Sequence, residues 1–472
     1  MGLKIIYGRA GSGKSTYCFE EIKENINKTS PIYIITPEQF SFTAEQKLLE
    51  MISTCREPDN RRSVINAEVI TFHRMADRIF NEVGGVNNTH ISKAGKAMLI
   101  SSILKKQKKN LKFLGNTDEF TDVVLRTFKD FKKHNVTLKT LKETTKVVDD
   151  KYLESKLNDV NLIYNLYEEK LKDNYIDEDD ILTILADKLE KSEMFKNSII
   201  YIDEFAGFTK QEYVLITELL KVANQVNVTV CTDTLEESEF IDTDIFYSNK
   251  LTAKKLMECA KQANIEILEP YNCTNIVGAT IGCPHRFKSK ELKHLEQNLY
   301  NTEYTKYNKE NKDISLFLAT NPYSEIEYIA QNIIKLVRNE KFRYRDISII
   351  TKDINTYSSL IKAIFRKYNI PVFIDNERDL SQNVLIKYIL SILDIFSNNW
   401  SYDSMFNYIK TGFLELEKDD IFELENYCIK YGIKGKKWYD EDFKYGEENE
   451  ISRLNDLRLK IITPLVDLKN SI

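Results

Sequence analysis

At 472 residues the chain exceeds one ordinary domain, and a division into about three is expected. Its 67 Lys and Arg stand against 72 Asp and Glu, a formal charge of −5, which excludes an overall basic field as the source of any polyanion affinity and leaves that role to local patches. A hydrophobic content of 42% supports substantial cores, but no apolar stretch approaches the roughly 18 residues of a membrane span and the N-terminus shows no signal-peptide pattern, so a cytoplasmic protein is expected.

The first element is the apolar run Leu3 to Tyr7, read as a strand. Directly after it, Gly8-Arg9-Ala10-Gly11-Ser12-Gly13-Lys14-Ser15-Thr16 fits G-x-x-x-x-G-K-[ST] without a mismatch, and a helical pattern follows from Tyr17 to Asn27. Glycines let backbone N–H groups close around a triphosphate at a helix N-terminus, whose dipole favours negative charge. Lys14 is placed to reach the β and γ phosphates and Ser15 to offer its hydroxyl to Mg²⁺, with Thr16 at the start of the helix.

Ile32 to Thr36 is a second strand, and the helix after Pro37 is expected to be capped by Thr43 with Gln46 three residues on. Strand, helix and strand within about 30 residues imply a parallel sheet. A third run, Ala67 to Thr71, leads through Phe72-His73-Arg74 into another helix, and the C-terminal ends of these strands share the rim where open α/β sheets bind ligands. From Ile91 to Lys196 helical periodicity dominates. The clusters Lys105 to Lys109 and Lys129 to His134 fit solvated helix faces or, alternatively, a DNA-backbone track, and Asp177 to Asp180 adds an acidic stretch.

The β pattern returns at Ser198 to Ile202 and ends in Asp203-Glu204. That is the second half expected of a nucleotide site: Asp203 holds Mg²⁺ through water and Glu204 orients the attacking water. Gln225 to Thr232 is a further strand, so residues 91–197 read as a helical insertion in one α/β domain. Runs at 313–319, 346–351 and 370–374, alternating with helices at 324–339 and 356–368, predict a second α/β domain without a phosphate loop of its own. Helical sequence continues from 380 to the last residue, Ile472. The expected division is 1–90 plus 198–285, 91–197, 286–378 and 379–472. The seven cysteines form no CxxC pair, and no metal is expected besides the Mg²⁺ of the nucleotide.

Several stretches resemble UvrD-like superfamily-1 helicases: Thr71-Phe72-His73, the acidic run Tyr175 to Leu182, and Glu325 to Ala330 followed by Tyr344 to Ile350. A closer similarity is to the B-subunit family of the AddAB helicase-nucleases. It is carried by Gly8 to Thr16 near the start, Thr36-Pro37-Glu38-Gln39-Phe40-Ser41-Phe42, Ile202 to Glu212, and Arg286-Phe287 with Glu291 to Glu296. The resemblance implies a P-loop NTPase of UvrD-like helicase core, with two parallel-sheet domains and helical insertions. It also implies ATP and Mg²⁺ at Lys14, Ser15, Asp203 and Glu204, and DNA across the rim carrying Thr71, Phe72 and His73, with Arg286 a candidate phosphate ligand.

As a whole it implies a cytoplasmic heterodimer with an AddA-type subunit that unwinds and resects double-strand DNA ends for recombinational repair, with a part in Chi recognition. It places a nuclease domain and a [4Fe-4S] cluster in a C-terminal part beyond these 472 residues, so that the chain reads as the N-terminal portion of a longer protein. Two elements depart from the UvrD-like pattern: D-E-F-Q-D becomes Asp203-Glu204-Phe205-Ala206-Gly207, and the G-D-x-x-Q sensor becomes Cys231-Thr232-Asp233-Thr234-Leu235. ATP binding is therefore expected, while ATP-driven translocation by this subunit is left open. The alternatives are a degenerate helicase-like DNA-binding scaffold and an unrelated P-loop NTPase such as a kinase.

Overall fold

The computed structural model describes residues 1–26, 30–54, 66–84, 89–114, 120–172, 175–236, 243–273, 287–300, 304–375, 380 and 383–471. They form two compact units, Met1–Ile314 and Ser315–Ile472.

The first unit opens with β1 (Gly2–Tyr7), α1 (Lys14–Asn25), β2 (Ile32–Ile35), α2 (Glu38–Thr54), β3 (Ala67–Ile70) and α3 (Phe72–Val83). The helical insertion follows as β4 (Thr89–His90), α4 (Lys93–Gln107), α5 (Thr121–Lys133), α6 (Leu138–Val147), α7 (Lys151–Lys172) and β5 (Tyr175–Ile176). The chain returns through α8 (Ile181–Leu189), β6 (Ile199–Ile202), α9 (Lys210–Val222), β7 (Gln225–Val230), α10 (Tyr247–Gln262), β8 (Glu266–Ile267), β9 (Tyr271–Asn272) and α11 (Lys290–Asn298). Among the described residues one seven-stranded sheet runs β3-β2-β6-β7-β1-β8, with β9 also on β1, and every pairing is parallel. Strands made about 190 residues apart thus share one sheet, with β6 and β7 between β1 and β2.

Side chains alternate across these strands, so each face takes every second residue. Leu3, Ile5, Ile35, Ile70, Ile200, Ile202, Val226 and Val228 enter a core with α3, α8, α9 and α10. Ile6, Ile32, Ile34, Val69 and Tyr201 enter the opposite one with Cys18 and Ile22 of α1 and Ala44 and Leu48 of α2. The result is a three-layer α/β/α sandwich, in which both faces of the sheet are covered, as parallel strands require. α2 starts at Glu38, earlier than expected, so Thr43 lies inside the helix and does not cap it. Glu38 instead brings its charge to the first turn, where the helix dipole favours an anion.

The insertion has its own core, from Ile100, Ile103 and Leu104 of α4, Phe128 of α5, Leu141 of α6 and Tyr164 and Tyr167 of α7. It is fastened by the acidic stretch. Lys96 pairs with Asp177 and with Asp179 at 2.8 Å. Lys132 pairs with Asp180, Asp177 at 3.0 Å and Glu168 at 3.1 Å. Tyr167 Oη donates to Asp177 at 2.9 Å. Gln211 of α9 then donates to Asp179 O at 2.8 Å and Thr183 Oγ1 at 3.0 Å, tying the junction to the sheet domain. Lys132, expected on a solvated face, is therefore a buried cation. Burial pushes the Asp177 carboxyl up, but Lys132 and the hydrogen bond from Lys96 outweigh it and hold the group well below the usual carboxylate range.

The second unit contains α12 (Pro322–Asn339), α13 (Ile354–Lys367), α14 (Val384–Ser397), α15 (Tyr402–Ile409), α16 (Lys418–Tyr431) and α17 (Glu448–Ser471). Ile326, Ala330 and Ile333 of α12 pack on Ile361, Ile364 and Phe365 of α13, while Trp400, Trp438, Met405, Leu424 and Ile461 centre a second core. The expected α/β class with a parallel sheet is realised in the first unit. In the second, the described residues of 313–319, 346–351 and 370–374 form no strand ladder. They keep the period of a strand: Ile347, Ile349 and Ile374 turn toward α12 and α13, while Leu316, Leu318, Ile350 and Phe373 face solvent. Apolar alternation specifies which side packs, but a sheet also needs a hydrogen-bonded neighbour, and helices cover only one side of these runs.

Candidate nucleotide-binding site

β1 delivers the loop at the C-terminal rim of the sheet, and α1 starts inside it at Lys14. Gly11 and Gly13 take positive φ of 74° and 89°, the left-handed conformation that a side chain disfavours. A Cβ on Gly8 would collide with Ser12 Oγ. The loop closes on itself through Ser12 N to Arg9 O at 3.1 Å and Tyr17 N to Gly13 O at 2.8 Å. Lys14 Nζ folds over it and donates to Gly8 O at 2.8 Å and Arg9 O at 3.1 Å.

The expected carboxylates come to the same place. Asp203 sits at the end of β6, with β7 between that strand and β1. Ser15 Oγ donates to Glu204 Oε1 at 3.2 Å, joining residues 189 positions apart. Asp203 is buried, and its Oδ1 accepts from Thr229 Oγ1 of β7 at 2.6 Å and from Glu204 N at 2.9 Å. Glu204 has φ of 66°, unusual for a residue with a side chain and of the kind that marks a functional turn.

Around these groups, two more residues of the loop and one at the end of β2 have environments of their own. Arg9 places its Nε 3.0 Å from Glu296 Oε1 of α11 and its guanidinium 5.1 Å from the Phe246 ring centroid. Thr36 Oγ1 is buried without a hydrogen-bond partner beside a small cavity lined by Phe40, Thr43, Lys47, Asp203 and Glu204. Ser12 Oγ, inside the loop, is likewise buried and without a hydrogen-bond partner. Thr229 had a sequence signal: in Val226-Asn227-Val228-Thr229-Val230 the polar side chains alternate onto one face of a strand that is otherwise apolar. The pairing of Arg9 with Glu296 had none, because it joins positions 287 apart.

At the sensor position, Asp233 pairs with Lys250 of α10 at 3.1 Å, and the same ammonium holds Asp244. Burial lowers the Lys250 ammonium's proton affinity, but the bonds to Asp244 and Asp233 outweigh it, for a net increase. On the rim, Thr71 caps α3 by accepting from Arg74 N at 3.3 Å. Phe72 is buried in the core, with its ring 5.4 Å from that of Phe205. His73 alone of the three is exposed, its Nδ1 3.5 Å from Glu38 Oε1. In α2, one turn after Glu38, Phe42 is 70% exposed. Arg286 lies outside the described residues.

The profile described as "ADDB, N-terminal" matches residues 5–296, and that of the "UvrD-like helicase C-terminal domain" matches 272–458. The chain is similar to a protein of Clostridium tetani named as the B subunit of an ATP-dependent helicase/deoxyribonuclease, with 42% identity over all of this chain and 42% of that protein. Proteins of the same name from Clostridium kluyveri and a Thermoanaerobacter species are 38% and 41% identical, over 100% and 97% of this chain and 42% and 39% of their own lengths. The chain thus spans about two fifths of the length of the curated relatives it matches. The phosphate loop, the carboxylates across the sheet and these matches agree: the chain belongs to the AddB family, in its N-terminal, helicase-like portion.

Proposed function

We propose that this chain is the ATP- and DNA-binding portion of a helicase-nuclease B subunit that, with an AddA-type partner, processes double-strand DNA ends in the cytoplasm. The observation that carries the reading is the Ser15–Glu204 contact, which brings both halves of a nucleotide site together. The residues fit MgATP. Lys14 now satisfies itself on loop carbonyls that a phosphate would replace, Ser12 has a buried hydroxyl with no hydrogen-bond partner, and Asp203 is already aimed. Ser15 and Asp203 would hold Mg²⁺, Glu204 would orient a water, and Lys14 would bind the phosphates. The bound metal would supply charge neutralisation at the phosphates. DNA would cross the rim at His73, with Thr71 and Phe72 fixing the turn that presents it. No described helix is long and apolar enough to cross a membrane.

Thr229→Val tests the aim of Asp203. Loss of an outer hydrogen bond to a ligating carboxylate typically weakens metal binding about 10–100-fold. The Mg²⁺ concentration for half-maximal nucleotide binding is expected to rise in that range, while metal-free binding stays unchanged; an unchanged Mg²⁺ dependence would remove Asp203 from the metal's ligands.

A second reading is a helicase-like scaffold that binds nucleotide without moving. The locked Asp233–Lys250 pair and Leu235 at the sensor position favour it. DNA-stimulated ATP hydrolysis, measured in the heterodimer with the partner's motor inactivated, separates the two. Turnover by this subunit rejects the scaffold, and its absence rejects the motor.

A further inference from the structure

Glu204 is seated on Ser15, whose Oγ donates to its Oε1 at 3.2 Å. The proposed nucleotide site asks something else of both groups: Ser15 is to face Mg²⁺, and Glu204 is to face a water. A carboxylate on that hydroxyl competes with the metal for it, so loading the site requires Glu204 to move. The fold holds a second seat within its reach.

β2 and β6 pair in parallel with Ile35 opposite Ile202, and Asp203 N donates to Ile35 O at 3.0 Å. Thr36 therefore leaves β2 beside the point where Asp203 and Glu204 leave β6. It is 2% exposed, and among the described residues its Oγ1 has no hydrogen-bond partner. A buried hydroxyl left unmatched destabilises the fold, which calls for a partner gained in another state of the protein. Thr36 borders a cavity of about 20 Å³ together with Thr43 and Lys47 of α2 and both carboxylates. That volume takes one water-sized group, such as a carboxylate oxygen, and excludes a base or a ribose.

We infer that Thr36 is a positioning residue for Glu204: with MgATP bound, Glu204 leaves Ser15 and turns its carboxylate into this cavity, where Thr36 Oγ1 donates to it. Charge explains why the metal sets the choice. Asp203 is buried and lines the same cavity, so without a cation two like charges would share a small space, and Glu204 is better placed on Ser15. Once Asp203 holds a cation, that repulsion is cancelled, and Lys47 adds a favourable charge to the lining. Glu204 is exposed and its backbone, at φ of 66°, has already turned away from β6, so its side chain moves without unpacking the core.

The inference rests on the proposed nucleotide site, and the experiment separates the two. Binding of a fluorescent, non-hydrolysable ATP analogue to the 472-residue chain is titrated with and without Mg²⁺, for wild type, Thr36→Val, Thr36→Ser, Glu204→Ala and the double variant Thr36→Val with Glu204→Ala. Valine keeps the shape of threonine and removes an unmatched hydroxyl, so the melting temperature should hold or rise; a fall would show the hydroxyl already partnered and overturn the inference. Thr36→Val should weaken Mg²⁺-dependent binding about 10-fold or more, the loss of a hydrogen bond to a charged group, and leave metal-free binding unchanged. Thr36→Ser should restore it. In the Glu204→Ala background Thr36→Val should have no further effect, because the group it holds is gone. Equal Mg²⁺-dependent binding by wild type and Thr36→Val overturns the inference and leaves the nucleotide site standing. A loss of the same size in the Glu204→Ala background, or without the metal, does so too. No Mg²⁺-dependent binding by wild type overturns the site and the inference together.

Discussion

Lys14→Ala will abolish nucleotide binding by this chain, seen as loss of signal in a titration with a fluorescent ATP analogue. The ammonium lies within the loop, donating to Gly8 O at 2.8 Å and Arg9 O at 3.1 Å, so it already stands where phosphate oxygens would replace those carbonyls. Truncating one partner of a buried, hydrogen-bonded charge pair costs about 2–5 kcal/mol, or roughly 30- to 5,000-fold in affinity. The loop itself should survive. Its shape is set by the positive φ values of Gly11 and Gly13, and alanine is a good helix former for the first position of α1. Unchanged affinity would remove Gly8 to Thr16 as the nucleotide site.

Lys132→Met will destabilise the first unit by roughly 3–5 kcal/mol at pH 7, the usual cost of breaking a buried ion pair from one side. Its side chain is only 3% exposed and faces Glu168, Asp177 and Asp180, so methionine fills the space but leaves Asp177 to Lys96 and takes the described cation from Glu168 and Asp180. Burial already raises the Glu168 and Asp180 carboxyls above their ordinary values in the presence of the lysine. Without it, all three should be raised in the folded state. Groups raised on folding favour the folded state as they protonate, so the variant's deficit should shrink between pH 7 and pH 5. In the wild type, Asp177 has the opposite sign: its contribution is present at neutral pH and is lost as pH falls through its depressed value. Urea unfolding at pH 7 and pH 5 measures the variant's deficit, while the Asp177 contribution is present in full at both. A deficit under 1 kcal/mol, or one that grows on acidification, would show that the junction does not bear on stability.

The site was legible where chemistry is local. Gly8 to Thr16 announces itself because the loop's conformational and charge requirements fall on consecutive residues, and Asp203-Glu204 because an apolar strand ends in carboxylates. Strands β1, β2, β3, β6 and β7 were likewise marked by their apolar runs, but their order was not, since periodicity describes a strand's faces and says nothing of its neighbours. The same limit hid Lys132, whose partners lie 36 to 48 residues away, behind the appearance of a basic helix face. Thr71 and Phe72 were read with His73 as a rim, yet a strand-to-helix turn gives its first positions to the cap and the core and only the third to solvent. In the second unit, alternation in Ile347 to Ile350 marked the side that packs, and among the described residues that run forms no strand ladder.

The placement of β6 and β7 between β1 and β2 also governs how the protein can be made. When Ile70 leaves the ribosome, β2 and β3 can pair, but β1 has none of the neighbours it has in the finished sheet, and one edge of β2 is open. The sheet cannot close until Val230 has been synthesised, about ten seconds or more later at 5–20 residues per second. During that interval the insertion, with its own core, can fold first. Nascent chains arrested before β7 should therefore yield a protease-resistant helical fragment and a phosphate loop still open to cleavage.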